Sequence, residues 1–240
     1  MVVKSQIRLI KSLQQKKYRN EHGLFVVEGI KVIKELLNAD MQIAELYCSD
    51  AKFLSQLKKK PTLVSEVVLR KMSSMHTPNG ILGVFHIPKP SAIHFSDWIL
   101  VLDSVRDPGN LGTIIRLADW YGIEHVVCSP DTVDAYNPKV LQATMGSIAR
   151  INITYTDLVP FLSGNLLPIY GAYMTGTSVY SIEMPKKGIL ILGNEANGIS
   201  NNVNLIAQQK ISIPQYGSQT AESLNVAMAA GILLSELRRK

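Results

Sequence analysis

The sequence predicts an α/β protein in two parts, and three features predict it. Short apolar runs of strand length alternate with amphipathic helical stretches. A proline-marked stretch with little periodicity interrupts them near residue 89. The excess positive charge all lies before that interruption: residues 1–90 hold fifteen Lys or Arg against seven Asp or Glu, whereas residues 91–240 hold ten against twelve. With 46% hydrophobic residues over 240 positions, the chain can bury a sizeable core. A basic first part points to a polyanionic partner, nucleic acid above all, while the plainer reading is a solvated lysine-rich surface.

In the first part, residues 5–15 predict a helix. Ile7, Leu9, Ile10 and Leu13 form its apolar side, Arg8 and Lys11 its basic one, and the run Lys16, Lys17, Tyr18, Arg19, Asn20 breaks it. A strand over 24–29 and a helix over 30–37 follow, then a strand over 43–48 and a helix over 51–60 that stops before Pro61. A short turn and another helix within 64–72 and a strand over 81–85 complete this part. Alternation at this spacing argues for crossover connections and a largely parallel sheet. The expected boundaries are a first domain over 1–88, a linker over 89–96 and a second domain over 97–240.

The second part opens with a buried strand over 98–102 and a polar loop over 103–110. Asn110 is the expected cap of a helix over 111–121, which Gly122 ends. A strand over 125–128, a helix around 138–147 and strands over 168–173, 188–192 and 210–213 follow, the last stopped by Pro214. The final helix, 226–234, is apolar on every side and is expected to be buried, with Ser223 offering its hydroxyl to the helix entrance. Eighteen consecutive apolar residues never occur and the charged N-terminal stretch has no signal-peptide core, so a cytoplasmic location is expected. Cys48 and Cys128 suit buried, reduced thiols there.

In open α/β sheets ligands bind beyond the C-terminal strand ends. Four loops qualify: 103–110, 174–176, 193–198 and 214–222. None carries GxGxxG or GxxxxGK, which weighs against dinucleotide and nucleoside-triphosphate sites. Five unpaired histidines and two distant cysteines give no metal spacing. Each polar residue in these loops has a plain structural reading. Glu195 can be a turn carboxylate, Asn110 and Asn225 helix caps, and Arg116 the partner of Asp119 three residues on. Gathered at one sheet edge, they point instead to a binding site.

The stretches LDSVRDPGNLGTIIRLADWYG, ILGNEANGIS and IPQYG followed by ESLNVAMAAGILLSE resemble the three motifs of the SpoU (TrmH-like) RNA ribose 2′-O-methyltransferases of the SPOUT superfamily. FVVEGIKVIKELL and TPNGILGVF are similar to the ribosomal-protein-like substrate-binding domain that precedes the catalytic domain in many members. Gln215 departs from the usual Met, and the loop after it is a little longer. The resemblance implies an RNA-binding α/β/α domain followed by a SPOUT-type domain whose terminal helix is threaded into a trefoil knot, an exception to unknotted topology. It implies a homodimer and an S-adenosylmethionine site in the knot, around Leu192, Gly193, Ile213, Ser223, Leu224 and Asn225, with Met174, Thr175 and Gly176 beside it. No metal is implied. Arg116 would act at the ribose 2′-hydroxyl, with Asn110, Glu195 and Asn225 shaping the site. Lys4, Arg8, Lys11, Lys16, Lys17 and Arg19 are the expected RNA contacts. Ribosomal RNA is the first substrate implied and transfer RNA the second; the rival is a non-catalytic RNA-binding protein that keeps the knot as a scaffold.

Overall fold

A computed structural model describes residues 3–217 and 222–239. In chain order the first elements are α1 (Lys4–Ser12), α2 (Lys16–His22), β1 (Leu24–Glu28), α3 (Ile30–Asn38), β2 (Ile43–Cys48), β3 (Thr62–Leu63), α4 (Glu66–Met72) and β4 (Ile81–His86). Then come β5 (Ile99–Leu102), α5 (Pro108–Trp120), β6 (His125–Cys128), α6 (Pro138–Thr144), β7 (Asn152–Tyr155), α7 (Leu158–Ser163) and β8 (Ile169–Ser178). The chain continues through β9 (Ile189–Leu192), α8 (Asn201–Asn204), β10 (Gln209–Ser212) and α9 (Val226–Arg238). Two units result, one of Met1–Lys89 with Asp134–Ala149 and one of Pro90–Val133 with Arg150–Lys240.

The first unit carries a sheet of order β1-β4-β2-β3. It is not the largely parallel sheet that alternation suggested. β4, the last strand in sequence, inserts between β1 and β2 and runs antiparallel to both, leaving only the short β2–β3 pair parallel. Nor does the lysine run at 16–20 break a helix. It begins α2, which ends at Gly23 in the left-handed conformation (φ 62°). The expected helix over 51–60 shrinks to a 3-10 turn at Ala51–Ser55. Ile10, Leu13, Val26, Leu69, Met72 and Leu82 pack as this unit's core.

Arg19 corrects a second expectation. Its side chain is only 2% exposed and paired with Asp134, so it is not available to RNA. Its Nη1 donates to the Leu13 and Gln14 carbonyls, both at 2.8 Å. A buried guanidinium needs such partners, because an unpaired charge away from water is very costly. The same contacts explain why residues 134–149 group with the first unit rather than with a single block from residue 97. Tyr136 packs its ring 4.8 Å from that of Phe25. Gly146, at φ +102°, comes so close to α3 that an added Cβ would lie 2.5 Å from Glu35 Cβ.

The second unit holds a six-stranded sheet of order β10-β8-β9-β5-β6-β7, parallel at every pairing. β5, β6 and β9 are buried at every residue, the pattern of strands covered on both faces. α5 and α9 pack together and run in the same direction: Asn225 at the start of α9 bonds Asn110 at the start of α5, and Arg238 at the end of α9 donates to the Tyr121 carbonyl. α9 is not buried all round. Ala227, Ala230, Leu233, Leu234 and Leu237 face inward, while Met228 is 63% exposed. None of the described helices is long and apolar enough to cross a membrane.

Candidate functional site at the parallel sheet edge

Because β10, β8, β9 and β5 are adjacent and parallel, the loops leaving their C-terminal ends emerge at one edge. The loop after β5 is held tightly. Ser104 sits at φ +61°, uncommon for a residue with a side chain, and its hydroxyl donates to Asp131 at 2.6 Å. Its amide donates to the Ser129 hydroxyl at 2.8 Å, and its carbonyl accepts from Asn194 Nδ2 at 2.7 Å. Asp103, buried beside it, accepts from the Ser200 amide at 2.7 Å. Asp131 also accepts from Ser129 Oγ and, at 3.3 Å, from Arg106 Nη2. The Ser104 and Ser129 hydroxyls hold its carboxyl well below the usual range, at about 2, against the opposing effect of burial.

The helix cap differs from expectation in a useful way. Asp107, not Asn110, caps α5: its Oδ1 accepts from the Asn110 amide at 2.8 Å, and Pro108 takes the first helical position. The Asn110 side chain is therefore free to bridge. Its Nδ2 donates to Glu195 Oε1 at 2.9 Å, and its Oδ1 accepts from Asn225 Nδ2 at 2.9 Å. Asn225 in turn caps α9, its Oδ1 accepting from the amides of Ala227 (2.9 Å) and Met228 (3.3 Å), so Ser223 is not the cap. One chain of amide and carboxylate contacts thus joins three loops that are distant in sequence.

Glu195 accepts twice more, from the amides of Asp107 (3.2 Å) and Arg106 (3.3 Å). Burial pushes its pKa up, but the Asn110 amide group and the backbone amides outweigh it, and the carboxyl is held below its ordinary value. At neutral pH it is an ionised acceptor engaged by the protein itself. Its neighbour Asn194 closes the turn by accepting from Ala196 and Asn197, both at 3.0 Å. Gly193 is required by that turn: an added Cβ would stand 2.2 Å from the Gly198 carbonyl carbon.

Arg116 lies in the middle of α5, exposed, and no contact among the described residues joins it to the Asn110, Glu195 and Asn225 chain. It is not the partner of Asp119. Arg150 grips that carboxylate with Nε at 3.0 Å and Nη2 at 2.7 Å. Met174, Thr175 and Gly176 fall within β8 rather than in a loop beyond it. Yet they do leave the ladder. Pairing with β10 jumps from Gly171 opposite Lys210 to Thr177 opposite Ile211, so 172–176 arch out of register. The arch is pinned where Ser212 Oγ donates to the Gly176 carbonyl at 3.0 Å, and an added Cβ on Gly176 would meet the Lys210 carbonyl oxygen at 2.6 Å. Leu192 is buried at the end of β9, Ile213 half-buried past β10, and Ser223 and Leu224 exposed before α9. Residues 218–221 of the intervening loop lie outside the described residues.

Of the expected RNA contacts in the first unit, Lys4, Arg8, Lys11, Lys16 and Lys17 are exposed and only Arg19 is withdrawn. Lys17 Nζ stands 5.7 Å over the Tyr18 ring. Ser104, Asp107, Asp131 and Asn194 hold the loops of this candidate site, a role that sequence reasoning passed over. Asp107 before Pro108 was a readable cap signal, whereas the strained backbone of Ser104 has no sequence mark.

Residues 97–235 match the model of the SpoU rRNA Methylase family, and residues 4–83 that of the MRM3-like substrate binding domain. The chain is 33% identical to the 23S rRNA (guanosine(2553)-2′-O)-methyltransferase RlmP of Bacillus subtilis, over 95% of this chain and 94% of that protein. It is 28% identical to the mitochondrial rRNA methyltransferase 3 of Xenopus laevis, over 97% and 73%. Among solved structures, a TrmH-family protein from Porphyromonas gingivalis superposes with a TM-score of 0.91 at 35% identity, over 99% of this chain and 98% of that one. An AdoMet-bound rRNA methyltransferase from Sinorhizobium meliloti gives 0.86 at 29%, over 99% and 95%.

Proposed function

The chain belongs to the SpoU rRNA Methylase family, and from that premise we propose that it methylates a ribose 2′-hydroxyl of ribosomal RNA with S-adenosylmethionine as donor. The observation that carries this reading is the contact chain from Asn225 through Asn110 to Glu195, which closes the three motif loops onto one sheet edge.

The residues at that edge fit the donor. Exposed apolar side chains stand here, Met174 on the arch inside β8 and Leu224 on the segment before α9, and the arch at 172–176 frees main-chain polar groups from the ladder. An adenosine with an amino-acid tail needs such a mixture of apolar wall and main-chain donors and acceptors. Main chain at Leu192, Gly193, Ile213 and Leu224 would hold it, with Met174 to Gly176 alongside and Ser223 and Asn225 at the entrance of α9. When bound, the sulfonium supplies the methyl group.

The protein's own share is positioning and charge. Methyl transfer is an in-line displacement, favoured when hydroxyl and donor are held in near-attack geometry. Glu195 and Asn110 fix the motif loops and are positioning residues. Arg116 is the exposed cation on α5; its guanidinium cannot act as a base, but it can polarise the hydroxyl and stabilise the alkoxide as the proton passes to solvent or to a phosphate of the RNA. Arg116→Ala is expected to reduce methylation by about a hundredfold or more while cofactor affinity by calorimetry stays within twofold. Full activity in the folded variant would end this assignment. Mapping ribose methylation in cells lacking the protein identifies the nucleotide.

The same reading includes a homodimer and a threaded terminal helix. The α5–α9 pair leaves Trp120 82% exposed and Met228 63% exposed. On α5, Thr113, Arg116 and Trp120 share the spacing of one helical face, so a partner covering Trp120 would also meet Arg116. Gly231 of α9 faces Leu117 of α5, where an added Cβ would make ordinary contact at 3.6 Å.

A further inference from the structure

Two concavities of the first unit share one residue. The larger, of about 570 Å³, is lined by apolar side chains that include Val26, Val32 and Leu141 and by polar ones that include Gln14, His76, Gln142 and one cation, Lys139. The smaller, of about 400 Å³, is cationic: Arg8, Lys11 and Tyr18 line it, and Gln14 again forms its edge. The one carboxylate in the larger cleft, Glu28, is occupied by donors from Ser73 and Ser74, including the Ser74 amide at 2.8 Å.

We propose that the larger cleft takes an unpaired base of single-stranded RNA whose phosphates run through the adjoining Arg8 and Lys11 depression. This rests on the RNA-methyltransferase reading and adds to it a recognition site on the first unit. Charge and shape select the occupant. A duplex keeps its bases stacked and paired, so only an extruded or unpaired base can enter a concavity. Cations beside an aromatic suit a strand's backbone and a neighbouring base, whereas an apolar lining with neutral amide side chains suits a base face and its edges. Gln14 and Gln142 each offer a donor and an acceptor, as a base edge demands. A protein or lipid ligand would use the apolar lining but leave the cationic depression without a role.

The test uses the full chain and fluorescence anisotropy with a single-stranded RNA and a duplex of the same sequence. The double variant Gln14→Ala with Gln142→Ala removes two exposed side chains and leaves the core untouched. It is expected to bind the single strand about tenfold more weakly with its salt slope unchanged, and the duplex as before. Arg8→Ala is expected to lower the salt slope by about 0.7, the value of one phosphate contact on a single strand. Wild-type affinity in the double variant, or an equal loss on duplex, overturns the cleft proposal alone. A wild-type chain that binds neither RNA overturns it together with the function on which it rests.

Discussion

Asn225 illustrates how one side chain can serve stability and site geometry together. Its Oδ1 satisfies two free amides of α9 while its Nδ2 reaches Asn110. Asn225→Ala removes both roles: about 1 kcal/mol of stability from the cap, measurable in urea, and a larger loss in cofactor titration, because Asn110 and Glu195 lose their anchor. A stability loss with unchanged cofactor affinity would show that the bridge to Asn110 positions nothing. Asp131 makes a pH prediction. Its pKa falls from 3.8 unfolded to about 2 folded, chiefly through the Ser104 and Ser129 hydroxyls. A depressed folded pKa means that the ionised carboxyl stabilises the fold fully above pH 3.8, and that this contribution fades as pH falls from 3.8 towards 2. Asp131→Asn should therefore flatten the acid limb of a stability-versus-pH curve in that window. An unaltered limb would remove Asp131 from the account of how the Ser104 loop is held.

At the scale of elements, legibility followed whether a segment is stabilised by its own pattern or by distant contacts. β2 and β6 were readable because each is a short apolar run bounded by turn residues, and both were placed at their observed ends. α2 was not, since KKYRN has no apolar period and the helix rests on the burial of Arg19 against Asp134, a contact over 115 residues. β7, with three of its four residues only partly buried, carries too weak a pattern, and the proline inside α7 hid that helix. The gathering of Asn110, Glu195 and Asn225 was legible because each stands in or next to a loop that follows a strand of one parallel sheet, and the structure joins them by hydrogen bonds. Ser104 and Asp131 were not, since their importance lies in a backbone angle and a contact 27 residues apart. Arg19 also gives a test that separates a structural cation from a phosphate contact. Arg19→Met leaves Asp134 without its partner and should cost about 3 kcal/mol, yet leave the salt slope of RNA binding unchanged. A shallower slope with unaltered stability would restore Arg19 to the RNA surface.

For the whole molecule, charge and exposed apolar surface divide the labour. The basic excess lies in residues 1–90, where the proposed phosphate contacts lie, and residues 91–240 are close to neutral, as would suit the proposed cofactor site and dimer interface. The second copy is the more consequential expectation, because among the described residues no bond joins Arg116 to the loop cluster it is assigned to serve. Burying Trp120 and Met228 in a symmetric interface would stabilise it by about 2 kcal/mol for each side chain fully covered, and Arg116, four residues before Trp120 on α5, would enter the interface with them. Introducing like charges there, as Trp120→Glu with Met228→Glu, should give a folded monomer in sedimentation, because both side chains face solvent within a single chain and the core beneath them is untouched. Methylation should fall together with the dimer population, while binding of single-stranded RNA, which is assigned to the first unit, should change little for one chain. A wild-type chain that sediments as a monomer and still methylates RNA would require each copy to bring its own Arg116 to its own sheet edge, and would remove the interface from the mechanism.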